Sequence, residues 1–372
     1  MKLFLLVYLS IYSVMHGYFY LRLRGAVVLS TGGNLLLLAF LFLMILAPIF
    51  VRVTEHRGWE AVASLFAYVG YTWMGFLFLF VVSALLVDII RLALAPLGWK
   101  TSMRIGFFLP FIVAACAYLY GYYEAWHIRV ERVLIESPRI PKEAGTIRLL
   151  QVSDIHMGLM VQGKRLERIV EKVKALNPDV LVSTGDLVDG QMNSLTQAVA
   201  WWRKVNPPYG KYAVTGNHEF FAGIDHALAV TREAGFRVLR GEAVKPIAGL
   251  CLVGVDDPMG KYLGREGATD PPPRGQEFTV LLKHQPFVSR KQLGLFDLQI
   301  SGHTHAGQIF PFSLITALYF KRQAGFFRLE DGAMLYISRG TGTWGPPIRI
   351  FSPPEITCFE LRYGLAPGVV RF

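Results

Sequence analysis

Five short segments of this 372-residue chain carry side chains that can bind a metal ion: Asp154 with His156, Asp186, Asn217 with His218, His284, and His303 with His305. Imidazole and carboxylate together suit divalent manganese, iron or zinc, and soft thiolate ligands are absent from the set. Taken singly, each segment is weak. A DxH, a GD or an HxH arises by chance, and a turn-forming Gly/Asp or a hydrogen-bonded histidine explains any one of them equally well. What they share is position, because each directly follows a short apolar run.

Those runs are the elements that must position the ligands. Thr146 to Val152, Val180 to Ser183 and Tyr212 to Thr215 read as buried strands, and Leu166, Ile169, Val170, Val173 and Leu176 recur at helical spacing until Asn177 and Pro178 stop them. Further strands are expected at Leu250 to Val255, Phe278 to Lys283, Leu298 to Ser301, Met334 to Ser338 and Ile356 to Leu361. Strands alternating with helices predict parallel β-α-β units, which bind ligands at the carboxyl ends of their strands. The fold class is therefore α/β, and so many strands call for two sheets. An ion pair about 3.5–4 Å apart needs a bridging anion, which one carboxylate supplies. An amide ligates without adding charge, so the site stays positive enough to hold phosphate.

The rest of the composition concerns solvent. Hydrophobic residues make up 53% and charged residues 17%, which implies that part of the chain is solvated by lipid. The apolar excess precedes residue 126, in four stretches of spanning length: Leu3 to Leu21, Asn34 to Val53, Ala63 to Ala93 and Ile105 to Trp126. The expected domains are a transmembrane region of about four helices, 1–126, and a catalytic domain, 127–372. The first stretch lacks a small-residue cleavage site and reads as a retained helix rather than a signal peptide. Asp88 lies near the end of the third, which is longer than one span requires. Three scattered cysteines, Cys116, Cys251 and Cys358, indicate neither a disulfide framework nor a thiolate zinc site.

The net charge of +11 comes without a Lys/Arg block, so a lipid surface or a phosphorylated substrate is the expected partner and nucleic acid is not. Arg22 and Arg24 in the first loop, with Arg91, Lys100 and Arg104 flanking the third, favour those loops inside, which puts the catalytic domain outside the cytoplasm. Arg129, Arg132, Arg139 and Lys142 after the fourth stretch pull the other way. His16 is the main ionisable group at membrane depth, and a lone histidine there reads as a packed residue rather than a proton relay.

The segments resemble the calcineurin-like metallophosphoesterase superfamily in SDIH (Ser153 to His156), GDLVD (Gly185 to Asp189), GNHE (Gly216 to Glu219), KHQP (Lys283 to Pro286) and GHTHAGQ (Gly302 to Gln308). The tail SRGTGTWGPPIRIFSPPEIT resembles the bacterial branch with amino-terminal membrane segments, although Ala306 stands where that branch often has glycine. The resemblance implies a four-layer α-β-β-α sandwich after the transmembrane bundle, and two divalent ions, manganese ahead of iron or zinc. It implies Asp154, His156 and His305 on the first metal, Asn217, His284 and His303 on the second, Asp186 bridging, and His218 facing the substrate. The implied step is in-line attack on a phosphodiester or pyrophosphate by a metal-bound hydroxide. A lipid-linked or envelope substrate of the UDP-diacylglucosamine type is the leading expectation, and the oligomeric state is left open.

Other residues have weaker claims. Asp189 reads as a turn or helix cap ahead of an acceptor supporting the site. Asp256 and Asp257 either border the substrate or lie in a solvated loop. Arg339 and Arg349 read as surface pairs ahead of phosphate contacts. Aromatic and aliphatic residues from Ile309 to Phe327, with Lys321 and Arg322 among them, fit either a membrane-interface segment that leads acyl chains to the metals or a helix packed in the core. The rival readings of the whole chain are a non-catalytic membrane receptor or scaffold, which loss of a ligand would favour, and a transporter, which would need charged residues along the spans.

Overall fold

The structure is a computed structural model that describes residues 2–99, 102–190, 195–265, 267, 269–365 and 368–371, with side chains described from Leu6 and not for 369–371. Lys100, used above for orientation, lies outside the described residues. Two compact units result, one of residues 1–123 with 345–348 and the other of 124–344 with 349–372.

The first unit consists of helices α1 (Lys2–Ala26), α2 (Thr31–His56), α3 (Glu60–Leu94) and α4 (Met103–Trp126). Ser30 caps α2 by accepting from the Gly33 amide, which satisfies one of the donors a helix start leaves open. Among the described residues, Thr31–His56, Glu60–Leu97 and Met103–Trp126 are long and apolar enough to cross a membrane. The first expected stretch coincides with α1, which is not among those three. The 35 residues of α3 extend about 52 Å at roughly 1.5 Å each, well beyond a bilayer core of about 30 Å. The two polar features singled out above are satisfied internally. Asp88 pairs with Arg22 and accepts from the Tyr18 hydroxyl at 2.7 Å, while His16 is buried between the Tyr12 carbonyl (2.7 Å) and the indole N–H of Trp73 (2.9 Å). The packed reading of His16 agrees with this.

The second unit contains, in order, β1 (Arg129–Ser137), β2 (Thr146–Val152), α5 (Gly163–Ala175), β3 (Val180–Ser183), α6 (Thr196–Trp202), β4 (Lys211–Ala213), α7 (Asn217–Ala222), α8 (Ile224–Glu233), β5 (Arg237–Val238), β6 (Glu242–Ile247), β7 (Leu250–Gly254), α9 (Met259–Tyr262), β8 (Phe278–Leu282), β9 (Leu298–Ser301), α10 (Phe312–Tyr319), β10 (Gly325–Arg328), β11 (Met334–Ile337), β12 (Glu355–Tyr363) and β13 (Gly368–Arg371). Two sheets form, ordered β13-β1-β12-β2-β3-β4-β5 and β10-β11-β9-β8-β7-β6. β2 to β5 run parallel, as do β1 with β12 and β7, β8, β9 and β11, whereas antiparallel pairs join β12 to β2 and hold the edge strands β13, β10 and β6.

Alternation along the strands builds the layers, because successive side chains point to opposite faces. Leu149, Val180, Val182, Phe359 and Leu361 of the first sheet meet Leu250, Leu252, Val280, Leu282 and Ile300 of the second in the central core. The intervening Leu150, Val152, Leu181 and Cys358 face outward onto Ile169, Val170 and Val173 of α5, Val199 and Trp202 of α6, and Ala227 of α8. On the outer face of the second sheet, Cys251, Val253 and Leu281 pack against Phe296, Val288 and Leu329, which lie in connecting segments. The expected α/β sandwich is present, with a thinner fourth layer than the resemblance implied. Its parallel strands aim their carboxyl ends at one edge.

Candidate metal centre

All seven expected ligands lie within a few residues of those carboxyl ends: Asp154 and His156 after β2, Asp186 after β3, Asn217 after β4, His284 after β8, and His303 and His305 after β9. The loops bring them into two sets. Asn217 Oδ1 lies 3.0 Å from His303 Nδ1 and 3.2 Å from His284 Nε2, and the two ring nitrogens are 3.1 Å apart. In the other set, His156 Nε2 lies 3.1 Å from His305 Nε2, which is 3.5 Å from Asp154 Oδ1. Asp186 Oδ2 stands between the sets, 3.2 Å from His284 Nε2 and 3.9 Å from His156 Nε2.

Such convergence of lone pairs fits a cation. Ligand atoms about 2.1 Å from a common ion stand roughly 3.0–3.4 Å apart, which is the spacing found in both sets. Burial opposes charge on His284, but Asp186 and Asp154 raise its pKa well above the ordinary value, and His284 with His218 hold Asp186 well below the carboxylate range against its own burial. Burial and neighbouring histidines push His156 down to about 4 and His303 down to about 3, so both rings are neutral at pH 7 with lone pairs free to donate.

The backbone is shaped to this end. Asp154, His156, Asp186, His303 and His305 all have φ between 48° and 73°, a left-handed region that costs a residue with a side chain roughly 1–2 kcal/mol. Strain of this kind collects at functional sites, where the surrounding structure enforces it. Ala306, the departure from the family pattern, has φ 48° and ψ 34°, which explains why glycine is usual there. Two glycines allow close approach: a Cβ on Gly216 would lie 2.1 Å from Asp186 Oδ1, and one on Gly302 would lie 1.9 Å from Ser153 Oγ. Glu219 fixes the loop after β3, its carboxylate accepting from the amides of Asp186 (3.0 Å), Leu187 (2.7 Å), Val188 (3.0 Å) and Gly216 (2.7 Å).

His218 stands beside the sets, its ring 4.6 Å from that of His156 and flanked by Phe221 and Trp344 at 5.6 Å each. Its amide donates to Asp186 Oδ1 at 2.8 Å, and its Nδ1 meets Asp189 Oδ1 at 2.8 Å. Burial disfavours the imidazolium, but Asp186 and Asp189 raise the pKa to about 9. Asp189, read above as a turn or cap residue, is thus the partner of His218.

Two more expectations need correction. Arg349 is neither on the surface nor open to substrate. It is fully buried, donating to the carbonyls of Gly342 (2.7 Å), Arg339 (2.6 Å) and Ser352 (3.1 Å) and to His305 Nδ1 (3.1 Å). Arg339, by contrast, is paired as expected, with Glu131 and Glu355 at 2.5 and 2.6 Å. Asp256 and Asp257 are buried rather than solvated: Asp256 accepts from Arg240 and from Thr215 Oγ1 (2.8 Å), and Asp257 from Gln285 beside His284 (2.9 Å). None of these roles has a sequence signature, because partners such as His305 for Arg349, Glu131 for Arg339 and Thr215 for Asp256 lie far along the chain.

The calcineurin-like phosphoesterase family matches residues 147–307, the stretch from β2 through His305. A protein of Aquifex aeolicus, named as an uncharacterized metallophosphoesterase, is 39% identical over 250 residues, covering 65% of this chain and 95% of its own length. A Danio rerio protein named as a transmembrane protein with metallophosphoesterase domain is 33% identical over 276 residues, 68% of this chain and 62% of that one. Among solved structures, a Pseudomonas putida nuclease overlaps 53% of this chain and 77% of its own at a TM-score of 0.29 and 15% identity. The chain belongs to the calcineurin-like metallophosphoesterase family.

Proposed function

We propose that this protein is a membrane-anchored phosphohydrolase that cleaves phosphodiester or pyrophosphate bonds with the help of two divalent ions, manganese ahead of iron or zinc. Asp154, His156 and His305 would hold one ion, Asn217, His284 and His303 the other, and Asp186 would serve both. The observation that carries this reading is Asp186 Oδ2, within 4 Å of a nitrogen in each set. Such ions, when bound, acidify water and neutralise charge on the phosphoryl oxygens. Asn217 contributes a neutral ligand and so preserves the positive field that holds an anionic substrate. His218, kept protonated by Asp189, is placed to steady the phosphoryl group and hand a proton to the leaving oxygen.

Residues 1–126 would be the anchor and 127–372 the catalytic domain, on the extracytoplasmic side. Anchoring is supported by the apolar helices and by the name of the Danio rerio relative. A lipid-linked or envelope substrate, such as an acylated nucleotide sugar, suits an enzyme confined to a bilayer. The test is turnover of phosphomonoesters, phosphodiesters and acylated nucleotide sugars by metal-loaded, detergent-solubilised protein beside Asp186→Ala. The substitution is expected to lower kcat/KM by about three orders of magnitude. Equal turnover by the two proteins would overturn the assignment.

A further inference from the structure

Helix α10, Phe312–Tyr319, buries none of its residues, which is unexpected for a segment so apolar. Leu314 is 60% exposed, Ile315 58%, Leu318 87% and Tyr319 71%. Scattered surface leucines need no explanation, but a helix that turns only apolar bulk outward marks an interaction site. The core-packed alternative for this segment is therefore excluded. One end of α10 leads to the candidate centre: the ring of Phe320, next after the helix, stacks 5.2 Å from Phe287 and meets His303 at 5.4 Å.

We propose that α10 docks into the interfacial layer of an anionic bilayer. Two features choose lipid over a protein partner. Lys321 and Arg322 follow the helix directly and are both exposed, so they can reach anionic headgroups while the leucines sit among acyl chains, the arrangement of an interfacial helix. The chain is also tied to a membrane, since the apolar helix α4 ends at Trp126 and β1 begins at Arg129. The inference rests on reading the apolar helices as spans, and it needs no assumption about catalysis.

The test uses the full chain, Cys116→Ser, reconstituted in phosphatidylcholine vesicles with and without phosphatidylglycerol. A nitrobenzoxadiazole label is placed by Leu318→Cys, by Phe42→Cys in α2 as a membrane benchmark, or by Arg203→Cys after α6 as a water benchmark. Cys251 and Cys358 are buried and stay unlabelled. Doxyl-labelled lipid should quench the label at 318 several-fold more than at 203, and Lys321→Glu with Arg322→Glu should remove much of that excess in the anionic vesicles only. A label at 318 quenched no more than at 203, while that at 42 is quenched, overturns the proposal. So does a blue shift at 318 that grows with protein density without lipid quenching, which would mean a second copy covers the helix. If the label at 42 also escapes quenching, the span reading fails and this inference falls with it. No arm reads turnover, so failure here leaves the hydrolase reading to its own assay.

Discussion

The two ligand sets each join two histidines to one oxygen-bearing side chain, Asn217 or Asp154, but are supported from behind in opposite ways. In the set of Asn217, His284 and His303, His284 Nδ1 donates to the Thr184 carbonyl at 2.9 Å. That bond fixes a proton on Nδ1 and turns Nε2 toward the other ligands, the usual support of a metal-binding histidine. In the set of Asp154, His156 and His305, the guanidinium of Arg349 donates to His305 Nδ1. Burial and that cation hold the His305 pKa well below the ordinary value. One set is backed by a carbonyl, the other by a buried guanidinium.

The sharpest way to break this comparison is to remove one histidine from each set. His284→Ala and His305→Ala should each lower kcat/KM by about a thousandfold, and elemental analysis should find about one ion retained in each variant. Simultaneous loss of both ions from either would show that the sets do not bind independently.

Next in size is the brace itself. Arg349→Leu strands buried carbonyls that the guanidinium now satisfies, which should cost about 3–5 kcal/mol of stability. Thermal unfolding measures it, and an unchanged Tm would mean that the guanidinium is dispensable to the fold.

A smaller effect isolates the His218–Asp189 pair. The pKa of His218 is raised to about 9 in the folded chain, above the ordinary unfolded value. Its stabilisation is therefore complete below about pH 6.5 and is lost as pH rises through about 9. In chelator-treated protein, Asp189→Asn should lower Tm most near about pH 6, and the gap should close above about pH 9. A gap that widens with pH would contradict the pairing.

The smallest effect is at Ala306, where glycine would relieve a left-handed conformation. Ala306→Gly should stabilise the protein by up to about 1 kcal/mol, less what glycine adds to unfolded-chain entropy. A clear destabilisation would show that the methyl group packs usefully.

The legible part of the fold was the part written in local pattern. The strands from Thr146 to Val152, Val180 to Ser183 and Leu298 to Ser301 coincide with β2, β3 and β9, because buried parallel strands read as short unbroken apolar runs. The edge strands β5, β6, β10 and β13, and β1 beside β13, escaped notice. β5 has two residues, and β6 is partly exposed and contains Pro246, which marks it as an edge rather than an interior strand. The residue types able to ligate a metal were equally visible, since chemistry restricts them to few side chains.

By itself, then, the sequence determined the apolar helices, the alternation that layers the sheets, and which side chains follow the strands. Tertiary structure decided which polar groups meet: Asp189 with His218, Arg349 behind His305, Glu219 beneath the loop after β3. It also decided that α10 faces outward. The physical reason is range. Periodicity and strand ends are properties of neighbouring residues, whereas a buried hydrogen bond depends on loops as distant as His305 and Arg349, brought together only when two sheets share one core.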